Sequence, residues 1–134
     1  PKFLRFIYHT LDHFLGFFWK IRPLLVKGRI VIGERYYYSF LVDPRPKKRY
    51  GVPDWLLKLV FFFMPKPDAV ILFSNDKEVI YERRQEHSPE EIERQILKYR
   101  ELGEKAKHFF EFKTDKPVHE IAGEVVQKIL YLCC

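Results

Sequence analysis

Apolar residues recur at steps of three or four along residues 3–22, a spacing that predicts a helix with one apolar stripe. The stripe consists of Leu4, Tyr8, Leu11, Leu15, Phe18 and Ile21. The rest of the helix surface also carries Phe14, Phe17 and Trp19. Charged residues interrupt the segment too often for a membrane span, and no signal-peptide pattern is present. We expect the helix to lie in the core or in a homodimer interface, and attachment to a membrane surface is the less favoured alternative.

Three apolar runs predict buried strands. They cover about residues 29–33, residues 68–73 and residues 109–113. We expect Pro23 and Gly28 to break the first helix before the first of these strands. Because strands and helices alternate along the chain, the pattern indicates an α/β fold with a mostly parallel sheet.

Further helices are predicted between the strands. Residues 36–51 form a loop or a short helix, and residues 55–64 form a short apolar helix that Met64-Pro65 ends. Another helix covers about residues 77–85, and Asn75 or Asp76 can supply its cap.

The helix after Ser88 has the clearest start signal. Ser88 is followed by Pro89 and, three positions after the serine, by Glu91, which is the pattern of a reciprocal capping box. The side chains expected on its inner face are Ile92, Ile96, Tyr99, Ala106 and Phe110. The turn at residues 115–117 opens a last helix, whose expected inward residues are Val118, Ile121, Ala122, Val125 and Ile129.

Composition limits the class of protein. With 134 residues and 47% apolar content, the chain is one packed domain or part of one. A net charge of +6 favours anionic partners, which are nucleotides, nucleic acid or a membrane surface. The two cysteines, Cys133 and Cys134, are adjacent and cannot join distant segments, which indicates a reducing, cytoplasmic setting. The five histidines have no metal-ligand spacing and no serine has a nucleophile motif, so a hydrolase finds no support.

The segment from Ile30 to Ser39 holds the strongest candidate site. Glu34 and Arg35 follow the first apolar run directly, and ligands of parallel sheets bind outside the carboxyl ends of the strands. The planar fork of Arg35 suits a phosphate, and Glu34 could hold that fork or reach a hydrated metal ion. A surface ion pair at a strand end is the alternative.

Residues 43–50 form a second charged segment, in which arginines and lysines are flanked by tyrosines. Basic and aromatic residues together can hold a single strand of nucleic acid. A short, proline-punctuated charge cluster is more typical of a solvated loop, so nucleic-acid binding is the less favoured interpretation.

Several segments, taken in order, resemble the thymidylate kinase-like group of P-loop nucleoside monophosphate kinases over nearly the whole chain. They are Glu34-Arg35-Tyr36-Tyr37-Tyr38-Ser39, Val42-Asp43-Pro44-Arg45, Tyr50-Gly51-x-Pro53-x-Trp55, Pro65-Lys66-Pro67-Asp68, Tyr81-x-Arg83-Arg84-Gln85-Glu86-x-Ser88 and Thr114-Asp115-Lys116-Pro117. The resemblance implies that residues 1–134 form a single domain with a three-layer, P-loop NTPase-like parallel sheet and flanking helices. It also implies ATP and Mg²⁺ as cofactors.

The resemblance implies roles for individual residues. Glu34-Arg35-Tyr36 falls on the family's Asp-Arg-Tyr or Asp-Arg-His motif, in which the arginine holds the acceptor monophosphate and the acid helps to orient phosphates and Mg²⁺. The other residues implied at the acceptor are Tyr36, Tyr37, Ser39 and Arg49. The lid over ATP is implied at Arg83, Arg84 and Arg94, with Arg83 also implied in catalysis. Without the family context, these arginines would be a solvated helix face with partners such as Glu90 for Arg94.

The chain departs from the family pattern at two points. No glycine is followed by lysine, so the motif G-x-x-x-x-G-K-[ST] does not occur in these residues. We therefore expect a truncated chain, whose missing first strand, P-loop and first helix leave the sheet incomplete and this fragment inactive. The second departure is Glu34, where the family has aspartate.

The function implied is ATP-dependent phosphorylation of dTMP or a related monophosphate to the diphosphate. The alternative is a catalytically inactive kinase-like domain that binds a partner, dimerises through residues 3–22 or presents a basic surface to an anion or a membrane.

Overall fold

The computed structural model describes all 134 residues, except for the side chains at positions 44, 46 and 47. The chain forms two compact units, residues 1–66 and residues 67–134. The expectation that residues 1–134 act as a single domain stays a prediction.

The first unit begins with a helical segment that runs past its proline. Helix α1 (Lys2–Gly16) passes through a π-helical turn (Phe17–Ile21) into α2 (Arg22–Val26). In that turn the Arg22 N–H donates to the Phe17 carbonyl, five residues earlier. Pro23 has no N–H to donate to the preceding turn, and a π turn is one way for a helix to absorb such a residue.

The helical segment ends at Gly28. The Gly28 N–H donates to the Leu25 carbonyl (2.9 Å), and the Arg29 N–H donates to the Leu24 carbonyl (3.0 Å). Gly28 has φ of +72°, the left-handed conformation that glycine adopts without a Cβ penalty in this Schellman arrangement. The prediction that Pro23 breaks the helix was therefore wrong, whereas the stop at Gly28 is confirmed.

Helix α1 buries a different face from the one that its apolar spacing predicted. Phe6 is only 2% exposed, and the rings of His9 and His13 contact Tyr50 and Phe40, respectively. Four residues of the predicted stripe are exposed, namely Leu4, Tyr8, Leu11 and Leu15. The helix has large apolar side chains on both faces, and the aromatic residues that follow it in the chain cover the Phe6 face.

The rest of the first unit is also helical. Helices α3 (Tyr38–Val42) and α4 (Pro44–Tyr50) occupy the segment predicted as a loop or short helix, and α5 (Asp54–Phe63) confirms the apolar helix. The core cluster consists of Phe6, Tyr50, Val52 and Leu57, with Phe40, Leu41, Leu56 and Val60 packed against it.

The strand predicted at residues 29–33 does not form. These residues are irregular backbone in the structure, and Ile32 is 81% exposed. A strand needs a neighbour to pair its N–H and C=O groups, and within the described residues no other segment pairs with this one. An apolar run specifies β propensity, but it does not by itself provide the partner.

The second unit is a parallel strand–helix–strand arrangement. Strand β1 (Ala69–Ser74) and strand β2 (His108–Lys113) pair in parallel, in register from Ala69 opposite His108 to Ser74 opposite Lys113. Helices α6 (Lys77–Arg83) and α7 (Pro89–Gly103) form the crossover, and α8 (Val118–Cys133) follows β2. Two of the three predicted strands and the parallel α/β character are therefore confirmed.

The predicted start of α7 is confirmed, but the cap is not reciprocal. Ser88 accepts a hydrogen bond from the Glu91 N–H (3.3 Å). The Glu91 carboxylate accepts instead from Arg94 and Gln95.

The predicted inner faces of α7 and α8 need correction. Helix α7 ends at Gly103, so Ala106 and Phe110 lie beyond it, and Phe110 belongs to β2. A Cβ at position 103 would lie only 2.4 Å from the Phe109 ring, so the close packing of that ring against the end of α7 requires glycine there. In α8, Ile121 is buried, whereas Val118 and Ala122 are exposed. Helical periodicity identifies a face but not how far other elements cover it.

Candidate functional site

Glu34 and Arg35 lie in a bend that connects the irregular residues 29–33 to α3. Arg35 has φ of +56°, a left-handed conformation that costs a residue with a Cβ roughly 1–2 kcal/mol. Its Nε atom lies 3.8 Å from Glu34 Oε1, and the two side chains are 69% and 91% exposed. The two residues thus form a loose surface ion pair, which is the alternative considered above, and irregular backbone rather than a strand precedes them. The Arg35 guanidinium is accessible to an anion.

Tyr36 anchors this bend within the first unit. Its hydroxyl donates to the Pro65 carbonyl at 2.8 Å. Burial, with a smaller contribution from Tyr38, raises the pKa of Tyr36. Ser39 was predicted to contact the acceptor nucleotide. Its Oγ donates to the backbone carbonyl of Tyr36 at 3.3 Å and closes the turn that follows Arg35.

Tyr37 lies inside the first unit rather than at its surface. It is 1% exposed and stacks on Phe40, with ring centroids 5.0 Å apart. Burial raises the pKa of Tyr37 to about 12, although the nearby Thr10 side chain opposes part of that shift. In this conformation Tyr37 supports the bend from beneath and offers no surface to an acceptor, contrary to its predicted contact with substrate.

Arg49 lies on the exposed side of α4, in the basic segment. Nearby, Arg45 binds Asp43 through its guanidinium (2.7 Å) and its backbone N–H (2.9 Å). The predicted basic cluster also includes Lys47, whose side chain lies outside the described part of the chain. The exposure of Arg45, Lys48 and Arg49 is that of a solvated surface segment.

The three arginines predicted in the lid belong to the second unit, and each has a partner there. Arg83 donates to Thr114, and Arg84 lies 3.7 Å from Glu86. Arg94 binds Glu91 at 2.6 Å, three residues away along the same helix. The hydrogen bond from Arg94 lowers the pKa of Glu91 to about 2. All three arginines are nevertheless exposed.

A polar network that the sequence did not predict joins the carboxyl ends of β1 and β2. Asn75 is 8% exposed, and its Nδ2 atom donates to the Thr114 carbonyl (3.0 Å) and to the Thr114 hydroxyl (3.2 Å). The Thr114 N–H donates to the Ser74 carbonyl at 2.8 Å. The signal available in the sequence was the polar residue placed directly after each apolar run.

A second network fixes helix α7 to the strands. Glu111 accepts three hydrogen bonds from Arg100 (2.6, 2.8 and 3.1 Å) and one from Ser74 Oγ (2.5 Å). The Arg100 hydrogen bond lowers the pKa of Glu111, and the same bond raises the pKa of Arg100. This network therefore joins β1, β2 and α7 through one carboxylate.

The side chain predicted to help orient Mg²⁺ is the exposed carboxylate of Glu34. Among the described residues there is no group of three or more His, Cys, Asp or Glu side chains that could hold a metal. The exposed Glu34 carboxylate fits Mg²⁺ that is bound mainly by nucleotide phosphates and water, the usual mode for this ion.

No helix in the described part of the chain combines the length and apolar character that crossing a bilayer requires.

Comparison with known proteins agrees with the resemblance found in the sequence. Searches of the curated proteins and of the solved structures each gave no match. The family model of thymidylate kinase matches residues 5–129, which include most of each unit and every candidate site residue. The chain therefore belongs to the thymidylate kinase family.

Proposed function

We propose that this chain is part of a nucleoside monophosphate kinase that transfers the γ-phosphoryl group of ATP to dTMP or a related monophosphate. The family match over residues 5–129 is the observation that carries this proposal. In the reaction, an oxygen of the acceptor monophosphate attacks the γ-phosphorus, and the bond from that phosphorus to the bridging oxygen of ADP breaks.

The acceptor side is assigned to the bend around Arg35. Its exposed guanidinium presents several donors in one plane, which match two oxygens of a phosphate. Tyr36 and Ser39 hold the bend on the C-terminal side of Arg35, and Arg49 supplies a further exposed positive charge. Because two polyanions must approach each other, positive charge at the acceptor offsets part of their repulsion.

The ATP side is assigned to the exposed arginines Arg83, Arg84 and Arg94. Phosphoryl transfer is achieved mainly by positioning and by stabilising the charge on the transferred group, which guanidinium groups can do. Mg²⁺, when bound with ATP, neutralises phosphate charge, and Glu34 would hold a water of that ion. The proposal requires a Gly-Lys-Ser/Thr phosphate loop elsewhere in the full-length protein. The setting that we propose for this protein is the cytoplasm.

The decisive experiment is a coupled assay of ADP release by the full-length protein with a panel of nucleoside monophosphates. We expect a rate above background with dTMP or a related acceptor. Equal background rates with every acceptor would reject the kinase.

Arg35→Ala tests the acceptor assignment. Loss of a charge-assisted hydrogen bond costs about 1.5–3 kcal/mol, so we expect the acceptor KM to rise by about tenfold or more and kcat to fall. Arg5→Ala, at an exposed position of α1 outside the proposed site, is the matched control and leaves the kinetics unchanged. Unchanged kinetics in Arg35→Ala would remove this residue from the site.

The second candidate function is a catalytically inactive, kinase-like domain that dimerises or binds a partner. The observation that supports it is the exposure of the apolar residues Leu4, Leu11 and Leu15 on α1. Sedimentation of the full-length protein distinguishes the two candidates when combined with the assay above. A dimer that Leu11→Glu dissociates, with no phosphoryl transfer to any acceptor, supports the second candidate.

A further inference from the structure

Arg83 is held in place although its side chain is exposed. It is the last residue of α6, and its two terminal nitrogens donate to Thr114, one to the hydroxyl (3.3 Å) and one to the carbonyl (3.2 Å). An exposed arginine loses considerable rotamer entropy when it is fixed in one conformation, so a partner that holds it must itself be well ordered.

Thr114 is such a partner, because its hydrogen-bonding groups are all used. Its N–H donates to the Ser74 carbonyl, and its hydroxyl also faces that carbonyl at 3.3 Å. The hydroxyl accepts from Asn75 and Arg83, and the carbonyl accepts from the same two side chains. A hydroxyl has one donor and two acceptor sites, and a carbonyl has two acceptor sites, so both groups are saturated.

Asn75 is the buried end of this chain of hydrogen bonds. Both of its amide donations go to Thr114, and its Oδ1 atom accepts from the Asp76 N–H at 2.8 Å. It is 8% exposed and follows β1 directly. Hydrogen bonds in such a setting are protected from competition by water, which makes their direction specific.

We propose that Asn75 is a positioning residue for Arg83: it orients Thr114, and Thr114 in turn orients the guanidinium toward the ATP phosphates. Asn75 itself contacts no nucleotide. This inference rests on the proposed function only in assigning Arg83 to ATP. The orientation of Arg83 by Asn75 is a property of the protein that can be measured without any nucleotide.

The first test is NMR of the arginine side-chain N–H groups in the full-length protein without ligand. We expect distinct, slowly exchanging Nη–H signals for Arg83 in the unmodified protein. Asn75→Asp keeps the size and the Oδ1 acceptor but removes both donations, so these signals should average. Ser74→Ala is the matched control, since it alters the adjacent buried side chain and leaves the Ser74 carbonyl in place.

The second test is kinetic. Asn75→Asp should raise the KM for ATP by about tenfold, with the KM for the acceptor unchanged. In the Arg83→Ala background the same substitution should have no further effect, because a residue that acts through Arg83 has nothing left to position. A merely structural role would raise both KM values or would add to the effect of Arg83→Ala.

The outcomes separate the two proposals. Unchanged Arg83 signals in Asn75→Asp overturn the positioning role, whatever the activity. Averaged Arg83 signals in a protein that phosphorylates no acceptor support the positioning of Arg83 and overturn the kinase. If Asn75→Asp fails to fold, Asn75→Ala takes its place, because it also removes both donations to Thr114 and adds no charge.

Discussion

The two units of this chain are organised differently. Residues 1–66 form helices around a cluster of aromatic rings, in which Phe6, Tyr37, Phe40 and Tyr50 contact one another or their neighbours. Residues 67–134 are organised by a parallel strand pair whose ends are joined by buried polar groups. In the first unit non-directional apolar packing decides which faces are buried, whereas in the second unit directional hydrogen bonds fix the positions of the candidate residues.

Apolar packing in the first unit should give the largest change in the free energy of unfolding, and we expect that change at Phe6. Phe6→Ala removes a ring that is 2% exposed and should lower the free energy of unfolding by about 3–5 kcal/mol. Urea unfolding measures it. Leu11→Ala, on the exposed face of the same helix, is the control and should cost less than about 1 kcal/mol. Equal costs at the two positions would show that the face predicted from the spacing is also buried.

A smaller effect is expected from the network around Glu111 in the second unit. Arg100→Ala leaves the Glu111 carboxylate with Ser74 Oγ as its remaining partner among the described side chains. The substitution should lower the free energy of unfolding by about 1 kcal/mol, since the pair is partly exposed. Lys98→Ala on the same helix removes an exposed pair with Glu101 and should cost no more than about 0.5 kcal/mol. Thermal unfolding of the two variants compares them. If Lys98→Ala lowered the free energy of unfolding as much as Arg100→Ala, the network around Glu111 would contribute no more than an ordinary surface pair.

The smallest expected effect is the contribution of Glu91 to the free energy of unfolding, which should depend on pH. Its pKa is about 2 in the folded chain, against an ordinary value of 4.5, so the folded state favours the charged form. Its contribution is complete above about pH 4.5 and is lost as the pH falls toward about 2. Glu91→Gln should lower stability at neutral pH by about 0.3–0.5 kcal/mol, the usual size for exposed helix pairs.

Urea unfolding of Glu91→Gln and the unmodified protein at several pH values follows this loss. The two stabilities should converge near pH 2. A difference that stays constant down to that pH would assign the effect to packing rather than to charge.

The second unit was largely predictable because its signals are local. Ser88-Pro89 marked the start of α7, and the polar residues after Phe73 marked the end of β1. Each of these features depends on a few adjacent residues and on their backbone preferences. The parallel pairing followed from the alternation of strands and helices.

The first unit was less predictable because its outcome depends on partners far along the chain. The run at residues 29–33 has strand propensity, but pairing requires a neighbour that propensity does not specify. The left-handed conformation of Arg35 and the burial of Tyr37 likewise have no local signal. The candidate residues could be identified by type and spacing, whereas their exposure and partners could not.

The π turn at Phe17–Ile21 has a consequence for any alignment that uses helical periodicity. One extra residue in a turn rotates everything downstream by about 100° around the axis, because an α-helix makes a full turn every 3.6 residues. The residues after Ile21 are therefore out of phase with Leu4, Leu11 and Leu15, and a helical wheel drawn straight through the turn to Pro23 gives them the wrong direction.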